Sequence, residues 1–359
     1  MKRMQQFWSL AELPREEIVD LLALAARLET VGDSQALAGR ILGLLFFNPS
    51  LRTLASMQAA MAKLGGTSFV VTPGGSSWKL ETGAGVVMDG EASEHVREAI
   101  PVLAGYADVL GVRAFASGTD LAADLADSSF RTLAALSPKP VINLESAIDH
   151  PCQALADWKT LDDLGVARHG KLVLSWANHP KALPLAVPAA VLRMAALRGM
   201  DVTVLRPEAY ALPEPLLAEA RSLAAATGGS VGETDERPAA LDNAAIVYAK
   251  SWASAAHYGD AAAERELRAG LASWCVEESW FERAPEARFM HCLPVRRNVV
   301  VADAVLDSPR SVVVRQAHNR LWAQMAVLHR LLAAADDAPR RRPSRTRSTP
   351  RTPRTTEKR

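Results

Sequence analysis

The chain runs to 359 residues, 49% of them hydrophobic, with a formal net charge of +1; that length fits one large or two medium domains with a substantial core. The charge is unevenly spread: residues 338–359 hold nine Arg or Lys against a single Glu, so the remainder is mildly acidic. This argues against a nucleic-acid-binding body and leaves only weak contact with nucleic acid or anionic surfaces to a solvated tail. No uncharged stretch reaches the length of a membrane span. Met1-Lys2-Arg3 leads straight into polar sequence rather than a signal-peptide core. Cys152, Cys275 and Cys292 suit a reducing compartment and lack metal-ligand spacing. The expectation is a cytoplasmic protein without a metal.

In chain order, a helix is expected over 15–29, and the apolar run 41–47 reads as a buried strand. It runs into Asn48-Pro49-Ser50-Leu51-Arg52-Thr53, where a helix over 50–64 opens. A helix start offers free N–H groups and a positive dipole end. Ser50, Arg52 and Thr53 add two hydroxyls and a planar guanidinium there, which suits a phosphate; Ser50 taken alone also reads as an N-cap. Strands follow over 68–72, 107–112 and 140–144, with a helix over 91–106 between the first two. From His150 onward come helices over 150–164, 183–198, 214–226 and 318–334, and strands over 171–177, 201–205, 245–249, 288–292 and 311–314. This alternation predicts an α/β protein of parallel sheets covered by helices. Polar residues cluster after strand carboxyl ends, where such sheets bind ligands: Arg113, Glu145 and His150, the 176–181 segment, Lys250, and Cys292-Leu293-Pro294. Composition after Ala335 predicts a disordered tail over 336–359.

Ser50-Leu51-Arg52-Thr53, His150-Pro151-Cys152-Gln153 and His291-Cys292-Leu293-Pro294 together resemble the three signatures of the aspartate and ornithine carbamoyltransferase superfamily. Ser77-Trp78-Lys79-Leu80-Glu81, Val87-Met88-Asp89-Gly90 and Tyr248-Ala249-Lys250-Ser251-Trp252 are similar to its N-acylornithine branch. The resemblance implies two doubly wound parallel-sheet domains with the active site between them. They are 1–149 for carbamoyl phosphate, completed by a C-terminal helix over 318–335, and 150–317 for the acylated amino acid. It also implies a knotted chain, with 179–188 as the threaded loop, a homotrimer, and no cofactor. The reaction implied is carbamoyl transfer from carbamoyl phosphate to an acylornithine δ-amine in arginine biosynthesis.

By resemblance, Arg52, Arg113 and His150 are catalytic. Ser50, Leu51, Thr53, Trp78 (from a neighbouring subunit), Gln153, Cys292, Leu293 and Arg320 join them in binding carbamoyl phosphate. Glu145, Lys250, Ser93, His179 and Arg296 face the acceptor. Acetyl-selective members carry Glu at the position matching Ser93, so the resemblance points to N-succinyl-L-ornithine, with N-acetyl-L-ornithine as the alternative. Leu54 departs from the family's Ser-x-Arg-Thr-Arg loop, which keeps open a catalytically impaired binder of carbamoyl phosphate or transfer to another amine.

Overall fold

The computed structural model describes residues 4–333; the expected basic tail lies outside them. The first half comprises α1 (Arg15–Thr30), β1 (Ile41–Phe46), α2 (Leu51–Lys63), β2 (Thr67–Val71), β3 (Lys79–Glu81), β4 (Ala92–His95), α3 (Val96–Gly105), β5 (Val109–Arg113), α4 (Leu121–Leu125), α5 (Ser128–Ala135) and β6 (Val141–Glu145). The second comprises α6 (Pro151–Asp163), β7 (Lys171–Trp176), α7 (Ala186–Arg198), β8 (Asp201–Leu205), α8 (Glu214–Thr227), β9 (Ser230–Thr234), α9 (Arg237–Leu241), β10 (Ile246–Lys250), α10 (Ala261–Ala269), β11 (Arg288–Met290), α11 (Asp303–Leu306) and α12 (Val313–Leu332).

Two parallel sheets result. One has the order β2-β1-β5-β6 and the other β11-β10-β7-β8-β9. β1 is a continuous apolar run, and residues 172–174 are the apolar centre of β7, because helices cover both faces of a parallel sheet. A two-stranded ribbon, β3-β4, stands apart from both. Among the described residues no helix is long and apolar enough to cross a membrane.

Two helices position the site. Every residue of α7 is buried, and it packs between α6 and α8. Its arginines are paired, Arg193 with Asp149 and Glu219 and Arg198 with Asp162. Helix α12 lies against α1, α2 and α6. This returns the last described part of the chain to the first sheet and sets Arg320 beneath the start of α2.

Two sequence expectations differ from the structure. The 311–314 segment is not a strand; only Ser311 makes a bridge, to Phe289, and α12 begins at Val313 rather than 318. Three consecutive valines favour a strand locally, but the long apolar stripe of α12 gains more by packing across three helices. The helix expected from residue 91 starts at Val96, because Ala92–His95 pairs with Lys79–Glu81. His95 then caps the helix, its Nδ1 accepting from the Arg97 N–H at 3.1 Å.

Candidate active site

In each sheet the chain leaves one central strand to both sides, and such reversal points open a crevice beyond the strand ends. In the first sheet this lies between β1 and β5, in the second between β7 and β10. Both open into one cleft of about 430 Å³. It is lined from the first sheet by Ser50, Leu51, Arg52, Thr53, Arg113 and Glu145, and from the second by His179, Lys250, Cys292 and Leu293, with His150, Gln153 and Arg320 between them.

The start of α2 forms one wall. Ser50 is its N-cap, and its Oγ accepts from the Thr53 N–H at 3.3 Å. The Thr53 hydroxyl accepts from Arg320 Nη2 at 2.6 Å. Arg320 is fully buried, and burial depresses its pKa and that of Arg52, though guanidinium stays charged in proteins. Arg52 Nε and Arg320 Nε have no hydrogen-bond partner among the described residues. Arg113 is held rigidly: Nε donates to the Asn48 carbonyl at 3.2 Å, Nη1 to Glu145, and the guanidinium stacks on Phe115 at 4.4 Å. Arg52, Arg113, Arg320 and Lys250 thus face the cleft against one lining carboxylate, Glu145. That cationic surplus, joined to a helix N-terminus, is matched to a doubly charged anion.

Glu145 ends β6 at φ 148°, where the register with β5 shifts by one residue. A bulge re-aims a side chain, and here it turns the carboxylate toward Arg113 and to 3.5 Å from His150 Nε2. His150 precedes Pro151, the first residue of α6. Burial, reinforced by Arg320, Arg113, Arg52 and Lys250, holds its pKa well below the usual imidazole value. The ring is therefore neutral near pH 7 and has one N–H to offer; its Nδ1 is buried without a partner among the described residues. Gln153 lies one turn further along α6, with Oε1 likewise unpartnered.

The opposite wall comes from the second sheet. Burial raises the Cys292 thiol above its usual pKa, so it stays protonated and is a poor nucleophile. Leu293 has φ 56°, and its N–H donates to His291 Nδ1 at 2.8 Å. Lys250 terminates β10 beside Trp176. The His179 ring accepts from Arg296 Nε at 3.3 Å, and burial lowers its pKa as well.

Three residues singled out in the sequence do not line this cleft. Arg296 reaches it only through His179. Trp78 and Ser93 sit on the ribbon; Trp78 is 59% exposed and donates from Nε1 to Glu94 at 2.9 Å. Three contributors went unread. Asn48, already inside the motif, accepts the Phe115 N–H on its side chain at 2.8 Å, and Phe115 supports Arg113. Asp157 lies one helical turn after Gln153, and that i,i+4 spacing was the available signal.

The family model for the aspartate/ornithine carbamoyltransferase carbamoyl-P binding domain matches residues 5–163, and the model for the Asp/Orn binding domain matches 187–331. The N-acetylornithine carbamoyltransferase of Xanthomonas campestris pv. campestris is 39% identical over 331 residues, 91% of this chain and 96% of that protein. The N-succinylornithine carbamoyltransferase of Bacteroides thetaiotaomicron is 36% identical over 293 residues, 82% and 87% of the two chains. Among solved structures, a glutamate-to-serine mutant of N-acetyl-L-ornithine transcarbamylase, complexed with carbamyl phosphate and N-succinyl-L-norvaline, superposes with a TM-score of 0.87 at 38% identity, covering 91% of this chain and 99% of that one.

Proposed function

The chain belongs to the N-acylornithine branch of the aspartate/ornithine carbamoyltransferase family, and from that premise we propose that it moves the carbamoyl group of carbamoyl phosphate to the δ-amine of N-succinyl-L-ornithine, in arginine biosynthesis. The observation that carries the reading is the set of four cations lining the cleft, Arg52, Arg113 and Arg320 by the start of α2 and Lys250 on the opposite wall, facing a single lining carboxylate. Ser50, Arg52, Thr53 and the first N–H groups of α2 hold the phosphate. Arg113 and neutral His150 face the carbamoyl oxygen, and Gln153 with the Cys292 and Leu293 carbonyls takes its NH₂. The neutral amine attacks the carbonyl carbon, the oxygen gains charge against Arg113, the carbonyl re-forms as the C–O bond to phosphate breaks, and the amine's surplus proton leaves on the phosphate. Positioning and preset charge supply the acceleration. Leu54 packs on the hydrophobic core rather than lining the cleft, so the departure at this position leaves the phosphate-facing groups intact and favours transfer over mere binding.

Lys250, Glu145, His179 and Arg296 take the acceptor's polar end. Trp78 and Ser93, which do not line their own chain's cleft, reach that of a neighbouring subunit in a homotrimer. A Glu at residue 93 would face the succinyl carboxylate at a cost on the order of 2–4 kcal/mol; Ser93 removes the repulsion. The higher identity to an N-acetylornithine enzyme makes N-acetyl-L-ornithine the second reading. Purified protein is assayed with carbamoyl phosphate and each acylornithine. The expected result is preference for the succinyl form, reversed by Ser93→Glu; preference for the acetyl form in the parent enzyme overturns the choice of acceptor.

A further inference from the structure

Behind Gln153, away from the cleft, lies a closed polar network. Asp157 Oδ1 accepts from Gln153 Nε2 and from Gln316 Nε2, each at 2.8 Å, and its Oδ2 accepts from the Tyr248 hydroxyl at 3.0 Å. Gln316 Nε2 also donates to the Tyr248 oxygen at 3.1 Å, and its Oε1 accepts the His291 backbone N–H at 3.0 Å. Asp157, Gln316 and Tyr248 are fully buried, and Gln153 and His291 nearly so.

The donors in this network cannot be exchanged freely. A backbone N–H only donates, so the oxygen of Gln316 must face His291 and its NH₂ must face Asp157. A carboxylate only accepts. The Gln153 amide must therefore also turn its NH₂ to Asp157, because the flipped amide would set oxygen against oxygen. Its carbonyl is then the atom left without a partner.

We propose that Asp157 is a positioning residue that fixes the Gln153 amide with its oxygen toward the cleft, so that the site selects a donor bearing NH₂ over an isosteric acyl phosphate bearing CH₃. The proposal rests on the carbamoyl-phosphate reading of the cleft. It makes the discrimination between carbamoyl and acetyl phosphate a property of a residue that touches neither. The same network reaches the turn that carries Cys292 and Leu293 through His291, so acceptors on both sides of the amine are set by one carboxylate.

The test is titration of carbamoyl phosphate, acetyl phosphate and inorganic phosphate into the parent enzyme, Asp157→Ala and Asp157→Glu. A water molecule filling the space left in Asp157→Ala donates as readily as it accepts, so the bias on Gln153 disappears. The parent should prefer carbamoyl over acetyl phosphate by about tenfold or more. Asp157→Ala should bring that ratio close to one while inorganic phosphate binds within about twofold of the parent, and Asp157→Glu should restore part of the ratio. A folded Asp157→Ala enzyme that keeps the parental ratio overturns the proposal, as does an equal loss for all three ligands, which marks a purely structural residue. A parent enzyme that fails to bind carbamoyl phosphate at all overturns the underlying reading instead.

Discussion

Arg52 is the side chain on which the proposed donor binding turns. It projects from the first turn of α2, its Nε has no partner among the described residues, and the lining carboxylate is committed to Arg113. Its charge is therefore not consumed within the protein. Arg52→Ala should lower kcat/KM for carbamoyl phosphate by about two to three orders of magnitude in a steady-state assay, the usual cost of deleting a preset charge partner. His150 sets the acid side of the pH profile by its silence. Burial and four neighbouring cations keep it neutral, so no loss of activity centred near pH 6.5 should arise from it. The acceptor supplies the other limb. An alkyl amine with a pKa of about 10.4 is neutral in only about one molecule per thousand at pH 7. At saturating donor, log kcat/KM for the acylornithine should climb with a slope near one up to about pH 9; a flat profile would contradict attack by the free amine.

At the scale of elements, α7 braces the segment that carries His150. Arg193 Nη1 donates to the Ile148 carbonyl at 2.6 Å and to Asp149 Oδ2 at 3.2 Å, while Nε and Nη2 grip Glu219. Asp149 is fully buried, and burial pushes its carboxyl up to about 6 in spite of that arginine. Breaking a buried pair strands its partner. Arg193→Met should cost about 3 kcal/mol in denaturant unfolding, with Asp149→Asn recovering part of it in the double variant. Neither arginine of α7 was legible as a brace, because pairing partners in other elements leave no periodic trace along the chain. The elements themselves were far more readable. Short apolar runs such as 41–47 and 172–174 suit a strand covered on both faces, and Arg113, Glu145 and Lys250 stand at the ends of their strands. What local sequence could not convey was competition with distant surfaces. Val312, Val313 and Val314 favour extended backbone, yet α12 begins at Val313 because the apolar stripe further along it packs on α1, α2 and α6, and Ala92–His95 becomes a strand only because Lys79–Glu81 lies beside it.

For the whole molecule, the ribbon and the loop between its strands leave a group of apolar side chains uncovered. Val87 is 82% exposed and Trp78 59%, with Val86 and Met88 nearby. Apolar groups gathered at one projection mark a surface for another chain, which in the proposed homotrimer is a second copy. Light scattering should give a trimer. Trp78→Ala and Arg52→Ala enzymes, each nearly inactive, should regain activity when unfolded and refolded together, because some clefts then receive an intact residue from each parent. Absence of regain, with mixed trimers demonstrated, would remove Trp78 from the neighbour's site.

The bond from Arg320 to Thr53 joins residues 267 positions apart. A ribosome will have made nearly all of both sheets before that guanidinium leaves the exit tunnel. Until then the anion pocket lacks one of its cations, so a nascent or prematurely terminated polypeptide ending before α12 should be unable to turn over substrate even where its sheets have formed.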